Sequence, residues 1–481
     1  MKVLVVGSGG REHAVIRKLA ENPEIDRIFC APGNGGISVQ AQLVEIKATD
    51  VEGMVAFAKK EGIDFVVVTP DDPLVLGMAD AMEEAGIPAF GPSKKAAQIE
   101  GSKVFAKNLM KKHGIPTAKY EVFDDPSKVI AYIERENQFP AVIKADGLAL
   151  GKGVVIARNL AEAKEAVHSI MEDKIFGKSS NQVVVEEFLT GKEVSVLAFT
   201  DSHTISPMIS SMDHKRVYDN DEGPNTGGMG TIAPSPYYTP EVAKRCMEEI
   251  FLPTMEAMKK EGRPFKGCLY FGLILTERGP KVIEYNCRFG DPETQVVLPL
   301  LKTDLFTIMR AVRDERLGEV DIQWSTGAAA CVVLASGGYP KKYETGLPIE
   351  GLDENGGQPY RLYFDDYNYS SEDPVVQQVL NGIEESGLMY SSYSGCSLSL
   401  GSGEAIVYGH DTTYSINSKA PTQGHDKPVL GYSSPYDENQ AVVKKGNVVA
   451  MATEQVGEGR VFLSGTVFCS NFEVAAEDQV S

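Results

Sequence analysis

The sequence predicts an α/β protein in which a doubly wound parallel sheet is followed by α+β lobes and then by a β-rich C-terminal tail. Three observations lead to this fold class. Residues 2–90 alternate short apolar strands with helices, as in a parallel sheet with helical crossovers. Residues 117–330 mix strands and helices less regularly. Beyond residue 353, short strand-like segments are separated by turn-forming residues.

The N-terminal pattern begins with a strand and a glycine-rich turn that opens a helix. The expected elements are strands at Val3–Val6, Arg27–Cys30 and Asp64–Val68, with a helix from about Glu12. A dinucleotide fingerprint is incomplete, because Glu12 stands where its third glycine should be and no acidic residue closes the second strand. A glycine turn at a helix N-terminus is still a good anion site, so Gly9 and Gly10 are candidates for holding a sugar phosphate.

A second glycine-rich turn follows the apolar strand that ends at Lys144. It carries Gly147, Gly151, Lys152 and Gly153. Glycines let the backbone approach phosphate oxygens closely, and lysines supply positive charge there. The spacing is not that of a Walker loop, and a surface hairpin with solvated lysines is the alternative. Helices are expected at Lys94–His113, with Lys103 near its start, and at about Pro240–Glu261 and Glu293–Leu317.

Two further strands end in polar residues that suit a nucleotide site. A β-branched strand from Val183 leads into Glu186, Glu187, Phe188 and Leu189, a linker whose backbone could bind adenine, and Glu193 could accept hydrogen bonds from ribose.

Strand alternation places Glu284, Asn286 and Arg288 on one face of the later strand. Hard oxygen ligands there suit Mg²⁺, which binds through one or two protein oxygens plus phosphates, and Arg288 could stabilise a transferring phosphoryl group. The alternative is a half-buried strand with a salt-bridged polar face.

Together these segments resemble the ATP-grasp fold, and other motifs narrow the resemblance to the glycinamide ribonucleotide synthetase family. The resemblance runs from Met1 to about Asp353. The narrowing motifs are Gly7-Ser-Gly9-Gly10-Arg-Glu12-His13, Ala31-Pro-Gly-Asn34, Gly91-Pro-Ser93, Glu100-Gly-Ser-Lys103, Asp213-His-Lys-Arg216, Gly223 to Gly230, and Arg288-Phe-Gly-Asp-Pro-Glu-Thr-Gln295.

The resemblance implies a domain order and a reaction. The expected domains are a pre-ATP-grasp domain at 1–100, an ATP-grasp domain at 101–328 with 117–190 as its nucleotide-binding lobe, the start of a C-terminal lobe at 329–352, and an atypical tail at 353–481. The implied reaction joins glycine to 5-phosphoribosylamine with ATP, through glycyl phosphate, in purine biosynthesis. We expect a monomer or weak dimer.

The resemblance also implies residue roles. ATP and its metal, Mg²⁺ or Mn²⁺, would be held by Lys103, Lys144 and Gly147 to Gly153 at the phosphates, Glu186 to Leu189 at adenine, Glu193 at ribose, and Glu284 with Asn286 at the metal. Arg288 would neutralise the acyl phosphate. Glycine and the ribosylamine would be faced by Asp213, Lys215, Asn225, Thr226, Gly227, Gly228, Asp291 and Pro292, with Gly9, Gly10 and Asn34 on the sugar phosphate.

The tail departs from this family in both motifs and charge. Residues 353–481 hold 6 Lys and Arg against 18 Asp and Glu, so they carry most of the net charge of −20. They lack the family's His-Ala-Gly-Thr, Asn-Gly-Gly-Arg-Val and closing-helix segments. A natural fusion, an artificial joining of two genes and a divergent lobe remain open, and we favour an unrelated join because both changes begin together. Strands are expected at Ala405–Tyr408, Asn447–Ala452 and Arg460–Leu463.

Composition limits the remaining classes. A net charge of −20 argues against a broad nucleic-acid surface, and no apolar run reaches the length of a membrane span. Seven cysteines without C-x-x-C pairs favour reduced thiols and a cytoplasmic location. The partners expected are therefore small molecules. Two rival functions remain: another ATP-grasp carboxylate–amine ligase, and a catalytically impaired ATP-binding fusion whose tail is an interaction module.

Overall fold

In a computed structural model, the described part of the chain comprises residues 1–148, 153–175, 177–218 and 222–345, followed by the backbone of eight strands between residues 361 and 464. Contacts divide the chain into two compact units. One contains Met1–Thr326 with Cys331–Tyr343, and the other contains Gly327–Ala330 with Glu344–Ser481. Among the described helices, none is both long and apolar enough to cross a lipid bilayer.

The N-terminal residues form a five-stranded parallel sheet, as predicted. Its strands are β1 (Lys2–Gly7), β2 (Arg27–Pro32), β3 (Gln42–Leu43), β4 (Phe65–Val68) and β5 (Ala89–Phe90), in the order β3-β2-β1-β4-β5. The helices are α1 (Gly10–Leu19), α2 (Val51–Glu61), α3 (Asp71–Leu76) and α4 (Met78–Glu84). Every residue of β4 is buried and apolar, which is typical of parallel strands covered on both faces.

The prediction of one continuous helix over Lys94–His113 is wrong, because the helix is interrupted at Ser102. The structure has α5 (Gln98–Gly101) and α6 (Lys103–His113). Ser102 is extended, and its hydroxyl caps α6 by accepting a hydrogen bond from Phe105 N at 3.0 Å. Lys103 is therefore the first residue of a new helix.

The nucleotide-binding lobe contains a four-stranded antiparallel sheet in the order β6-β9-β7-β8. Its elements are β6 (Tyr120–Phe123), α7 (Pro126–Glu136), β7 (Ala141–Ala145), β8 (Val154–Ala157), α8 (Leu160–Val167) and β9 (Val183–Glu187). Asp125 caps α7 and Asn159 caps α8, so polar residues fix where both helices begin. Residues of both helices and of β7, β8 and β9 share one apolar core, which holds the end of β7 in place.

A second four-stranded sheet has the order β11-β10-β16-β17. Its strands are β10 (Lys192–Asp201), β11 (Ile205–Pro207), β16 (Lys266–Thr276) and β17 (Gly279–Asn286), all antiparallel. The helical stretch predicted at Pro240–Glu261 is present as α9 (Pro240–Cys246), a π-helical turn (Met247–Phe251) and α10 (Leu252–Lys260). Short strands complete this region: β12 (Met212–Asp213), β13 (Arg216–Tyr218), β14 (Glu222–Asn225), β15 (Gly230–Ala233) and β18 (Ala329–Val332).

The helix predicted over Glu293–Leu317 is instead two helices, α11 (Thr294–Val297) and α12 (Leu305–Arg313). Pro299 cannot donate a backbone hydrogen bond, so it disfavours a continuous helix. Asp304 then begins α12, where its carboxylate accepts from the third helical residue at 2.7 Å. The break leaves Glu293 at the start of α11, facing the second sheet.

One apolar core joins the N-terminal sheet to the second sheet. It includes Leu4 and Val66 from the first sheet, Leu109 from α6, and Phe271 and Tyr285 from β16 and β17. All five are buried. This shared core fixes the first glycine turn relative to the end of β17.

The described residues beyond 345 are all strands. They are β19 (Arg361–Phe364), β20 (Asp366–Tyr367), β21 (Tyr390–Tyr393), β22 (Glu404–Tyr408), β23 (Ser415–Ile416), β24 (Ala441–Val443), β25 (Val449–Val456) and β26 (Gly459–Ser464). They pair antiparallel as β19-β21, β20-β22-β25-β26 and β23-β24. The three predicted strands coincide with β22, β25 and β26, although residues 447 and 448 lie outside the described part of the chain.

Candidate active site

The three segments singled out in the sequence meet at the ends of β7, β9 and β17. Lys144 is buried, and its ammonium lies 3.0 Å from Glu186 Oε1 at the end of β9. The same ammonium donates to the carbonyl of Ile283 in β17 at 3.3 Å. The lysine predicted to hold phosphate is therefore adjacent to the strand predicted to hold a metal.

Lys103 reaches the same region from the first turn of α6. Its ammonium donates to the carbonyl of Gly147 at 2.7 Å, at the start of the glycine-rich turn. Burial lowers the pKa of Lys103, Lys144 lowers it further, and the carboxylate of Glu284 opposes both. Gly151 and Lys152 lie outside the described residues, whereas Gly153 is buried and its carbonyl accepts from Ala145 N at 2.8 Å.

Glu186, the first residue of the predicted adenine linker, directs its side chain toward two lysines. Its carboxylate is buried between Lys144 and Lys107, whose ammonium is 2.9 Å from Oε2. Burial lowers the pKa of Lys107 to about 8, although Glu186 opposes that shift. Phe188 and Leu189, which follow Glu186 in the predicted linker, are more exposed.

The rest of the predicted linker is also tied to its neighbours. The carboxylate of Glu187 accepts from Lys119 N at 2.9 Å and lies 3.2 Å from Lys281. Glu193, predicted to bind ribose, has its carboxylate 3.3 Å from the ammonium of Lys215.

Glu284 lies among cations. Burial alone would raise its pKa, but Lys215, Lys144, Lys103 and Arg288 together lower it. Its carboxylate is therefore ionised at neutral pH, as a ligand of a divalent cation must be.

Glu100 contacts the end of the predicted metal strand and the two residues that follow it. Its buried carboxylate accepts from Asn286 Nδ2 at 2.9 Å and from Cys287 N at 2.7 Å. Arg288 Nη2 lies 2.9 Å from the same carboxylate. Because β17 ends at Asn286, strand alternation does not determine the direction of the Arg288 side chain. The ion pair with Glu100 holds Arg288 close to Asn286 instead.

The donor set fits a hard divalent cation. Because the amide nitrogen of Asn286 is committed to Glu100, its Oδ1 is the atom of that side chain left to bind a ligand. In the described ranges, no group of three or more His, Cys, Asp or Glu residues has metal-binding geometry. Two protein oxygens completed by phosphate oxygens is the arrangement typical of Mg²⁺.

Arg288 has unused hydrogen-bonding capacity. Its Nη1 donates to the carbonyl of Phe289 at 3.3 Å and its Nη2 pairs with Glu100. Its buried Nε, however, has no hydrogen-bond partner within the described chain. A buried donor without a partner is costly, which points to a ligand oxygen there.

Asp213 and Lys215 form the side of the site predicted to face glycine and the amine. Their charged atoms are 4.0 Å apart. Burial raises the pKa of Asp213, although Lys215 opposes the shift. Burial disfavours the charged form of Lys215, but Asp213, Tyr270 and Glu193 outweigh it and raise the pKa of Lys215 well above its usual value. Lys215 is thus a permanent cation here.

The loop from Asn225 to Gly228 is anchored to this pair. Thr226 N and Oγ1 both donate to the carbonyl of Lys215, at 2.7 and 2.8 Å. Gly228 has φ +127° and packs against Pro292, where a Cβ would lie 2.5 Å from the proline ring. Gly227 N donates to the hydroxyl of Tyr339 at 3.2 Å. The loop and Pro292 therefore form one surface.

Glycines of the first turn border that surface. Gly9 lies so close to Asp291 that a Cβ would stand 3.0 Å from Oδ2. Its amide, however, already donates to the carboxylate of Glu12. Glu12 thus caps the helix at Gly9, and Asn34 donates to the carbonyl of Ser8 at 2.8 Å; the phosphate contacts of Gly9, Gly10 and Asn34 stay predictions.

Sequence reasoning missed Glu100, Lys107 and a buried network of Ser195, Tyr270 and Glu293. Lys107 could have been found, because it is four residues after Lys103 and hence on the same helix face. Glu100 and Glu293 both stand inside motifs already recognised, but nothing local indicates that their side chains turn inward. Ser195 and Tyr270 lie in plain apolar strands and carry no distinguishing signal.

We expect Glu100→Gln to impair metal use. Loss of the charge would leave Arg288 without its ion-pair partner and would loosen the orientation of Asn286. Removing such an outer partner typically costs about 10–100-fold in metal affinity or activity. The measurement is the Mg²⁺ concentration that gives half-maximal ATP-dependent ligation.

The matched control is Glu261→Gln, which removes a surface ion pair with Lys112 and His113. Its Mg²⁺ dependence should equal that of the unaltered chain. A folded Glu100→Gln protein with the same Mg²⁺ dependence would show that Glu100 does not position the metal strand.

Two protein-family models match the part of the chain that contains nearly all of these residues. Residues 1–100 match the phosphoribosylglycinamide synthetase N domain, and residues 101–294 match the ATP-grasp (A) domain of that synthetase. The chain is 49% identical over 354 residues to the phosphoribosylamine–glycine ligase of Caldanaerobacter subterraneus subsp. tengcongensis, covering 74% of this chain and 85% of that protein.

Solved structures agree with these matches. The crystal structure of phosphoribosylamine–glycine ligase from Thermotoga maritima matches with a TM-score of 0.63 and 33% identity, over 72% of this chain and 83% of that one. A biotin carboxylase domain from Hydrogenobacter thermophilus, solved with MgADP, matches with a TM-score of 0.53 and 21% identity, over 68% and 73% of the two chains, and shares the fold. Residues 1–294, which the two domain models cover, hold every site residue named above apart from Tyr339.

Proposed function

The chain belongs to the phosphoribosylglycinamide synthetase family, and from this premise we propose how its residues divide the steps of one reaction. The reaction is the ATP-dependent ligation of glycine to 5-phosphoribosylamine, which gives glycinamide ribonucleotide, ADP and phosphate in purine biosynthesis. The observation that carries the residue assignment is the meeting of Lys144, Glu284 and Arg288 at the ends of two sheets.

The first step activates glycine. A carboxylate is a poor electrophile, so one of its oxygens attacks the γ-phosphorus of ATP and forms glycyl phosphate with release of ADP. We propose that Lys103 and Lys144 neutralise the phosphates and that Arg288 meets the transferring group through its uncommitted Nε. Such phosphoryl transfers depend mainly on positioning and charge stabilisation, which a site without a nucleophilic side chain can supply.

ATP-grasp proteins use ATP together with a divalent metal. We propose that Glu284 and Asn286 hold Mg²⁺ or Mn²⁺ here, because Glu284 is an ionised carboxylate near Lys144 and Asn286, two residues further along β17, has its amide nitrogen committed to Glu100. When bound, the metal would offset negative charge on the transferring phosphate. Glu186 keeps Lys144 in place, while Glu187 to Leu189 and Glu193 would receive the nucleoside.

The second step forms the amide. The ribosylamine nitrogen attacks the acyl carbon, and phosphate leaves with the bonding electron pair. We propose that the Asp213 and Lys215 pair, with the loop Asn225 to Gly228 and Asp291–Pro292, holds the two reactants. Gly10 and Asn34 would receive the sugar phosphate. Lys215 is suited to the negative charge of the acyl phosphate because its pKa is raised.

Two rival readings make different predictions about the same assay. Another carboxylate–amine ligase of this fold would accept a different acid or amine. A catalytically impaired chain whose tail serves as an interaction module would bind ATP without glycine-dependent release of phosphate. Both are less economical than the family's own reaction, because the matched domains include every proposed site residue up to Glu293.

The test is ADP release by the full chain with ATP, Mg²⁺, glycine and freshly prepared phosphoribosylamine, with each component omitted in turn. We expect release to require both glycine and the amine. Release with another acid or amine in their place would favour the first rival. ATP binding without release under the complete conditions would contradict the proposal and favour the second.

We propose a cytoplasmic enzyme that acts on small molecules as a monomer or weak dimer and has no nucleic-acid or membrane partner. The five cysteines in the described ranges are all free, which supports reducing surroundings.

A further inference from the structure

A buried carboxyl group lies behind the site and has no role in the mechanism above. Glu293 is almost completely buried at the start of α11. Tyr270 donates to its Oε1 at 3.1 Å, and Ser195 Oγ lies 3.4 Å from the same oxygen but gives its single proton to the shorter bond with Tyr270. The two hydroxyls also bond to each other at 2.7 Å. Glu293, Tyr270 and Ser195 thus form a closed triangle of polar atoms inside the protein.

The triangle opens toward the reaction site on one side. A small cavity is lined by Ser195 and Tyr270 together with Glu193, Lys215 and Glu284. These last three residues are the ones proposed for ribose, acyl phosphate and metal. Ser195 and Tyr270 therefore border both this cavity and Glu293, while Glu293 itself does not line the cavity.

The surroundings of Glu293 favour its protonation near neutral pH. Burial raises the pKa of Glu293 to about 7, and the charge of Asp213 acts in the same direction. Its own backbone amide, Lys215 and Arg288 oppose the shift. Within the described chain, Glu293 forms no ion pair with any of these cations. A carboxyl poised near neutrality beside hydroxyls can both accept and return a proton.

Amide formation needs such an acceptor. The amine nitrogen forms a bond to the acyl carbon, the bond from that carbon to the phosphate oxygen breaks, and one proton must leave the nitrogen. The preceding step releases no proton, because the nucleophile is a carboxylate. An acceptor is thus required in the second step only.

We propose that Glu293 is the proton acceptor for amide formation and that Tyr270 connects it to the substrate amine. The nitrogen gives its proton to Tyr270 Oη as the tyrosine hydroxyl proton passes to Glu293 Oε1. Ser195 orients the tyrosine hydroxyl through its 2.7 Å hydrogen bond. This inference rests on the proposed function, since without the ligation there is no amine to deprotonate.

The first readout is the pH dependence of glycinamide ribonucleotide formation by the full chain. The acceptor must be ionised, so turnover should fall as the pH drops below the pKa of Glu293. In Glu293→Gln that acidic limb should disappear, and turnover should fall by about 10²-fold, a usual contribution of general base catalysis.

The second readout isolates the first chemical step. Exchange of isotope from the β–γ bridging position of ATP reports reversible glycyl phosphate formation, with ribose 5-phosphate filling the amine site. Glu293→Gln should leave this exchange near its original rate. A purely structural role for Glu293 would slow the exchange and the ligation together.

Tyr270→Phe provides a second variant that keeps the carboxyl and removes only the connecting hydroxyl. We expect it to slow ligation and spare the exchange, even if Glu293→Gln does not fold. The proposal is overturned if ligation is unchanged in the folded variants, if exchange falls equally, or if Glu293→Gln keeps the acidic limb, which would assign the proton to Asp213. A failure of the unaltered chain to form product would instead contradict the proposed function.

Discussion

Replacing Glu284 with alanine should abolish ligation while the protein remains folded. Glu284 is buried near Lys103, Lys144, Lys215 and Arg288, and those cations keep it ionised. Its loss removes the anionic metal ligand, and metal stabilisation of phosphoryl transfer is worth several kcal/mol, or a rate loss on the order of 10³-fold or more. The measurement is the initial rate of ADP release at saturating glycine and amine.

The matched control is Glu277→Ala, which alters an exposed glutamate in the turn of the same β16–β17 hairpin. It should keep the original rate. Near-normal turnover by folded Glu284→Ala, as judged by an unchanged circular dichroism spectrum, would remove Glu284 from the site.

Replacing Lys144 with alanine should have a comparable effect by a different route. The ammonium of Lys144 is held by Glu186 and by the Ile283 carbonyl, so its charge is fixed before ATP arrives. A pre-positioned donor of this kind is worth roughly 10²–10³-fold in turnover. We expect turnover to fall by that amount and the KM for ATP to rise, because both bound ATP and the transferring phosphate lose a cation.

The Lys144→Ala protein should remain folded, because Lys107, 2.9 Å from Glu186, still neutralises the buried carboxylate. Lys128→Ala is the control, because Lys128 is exposed on α7. A Lys144→Ala protein that binds ATP as tightly as the Lys128→Ala protein and turns over equally well would contradict the assignment.

The sequence predicted most where local pattern decides structure. The continuous apolar run of Phe65–Val68 could only be a buried strand next to a helix-rich stretch, and it is one. In the tail, alternating segments such as those within β22 and β26 were also predictable. Their pairing was not, because strand order depends on contacts distant in sequence.

Side-chain direction was the main source of error. The Lys94–His113 helix was expected to be continuous, but the hydroxyl of Ser102 offered a cap that restarts it at Lys103. Glu186 was predicted as part of a linker that binds adenine through its backbone, and the pattern did not show that two buried lysines hold its carboxylate. For Gly9, predicted on phosphate, the pattern did not show that its amide donates to Glu12. The partners of Glu186 are distant in sequence, whereas Ser102 and Glu12 are local residues whose capping role the apolar periodicity does not encode.

The position of Arg288 also depends on a residue that is distant in sequence. Period-two alternation was used to place Arg288 on the face of Glu284 and Asn286, but β17 ends two residues before Arg288, so the strand pattern does not determine where its side chain lies. The carboxylate of Glu100, far away in sequence, gathers Asn286 and Arg288. Only the folded chain reveals that link.

The most direct test of the account follows the oxygen atoms of glycine. The full chain would be given ATP, Mg²⁺, phosphoribosylamine and glycine labelled with ¹⁸O in its carboxylate, and the released phosphate would be analysed by mass spectrometry. Attack of the glycine carboxylate on ATP predicts that each phosphate carries one labelled oxygen. Phosphate without label would mean that water, rather than glycine, takes the phosphoryl group, and would contradict the ligase mechanism assigned to this site.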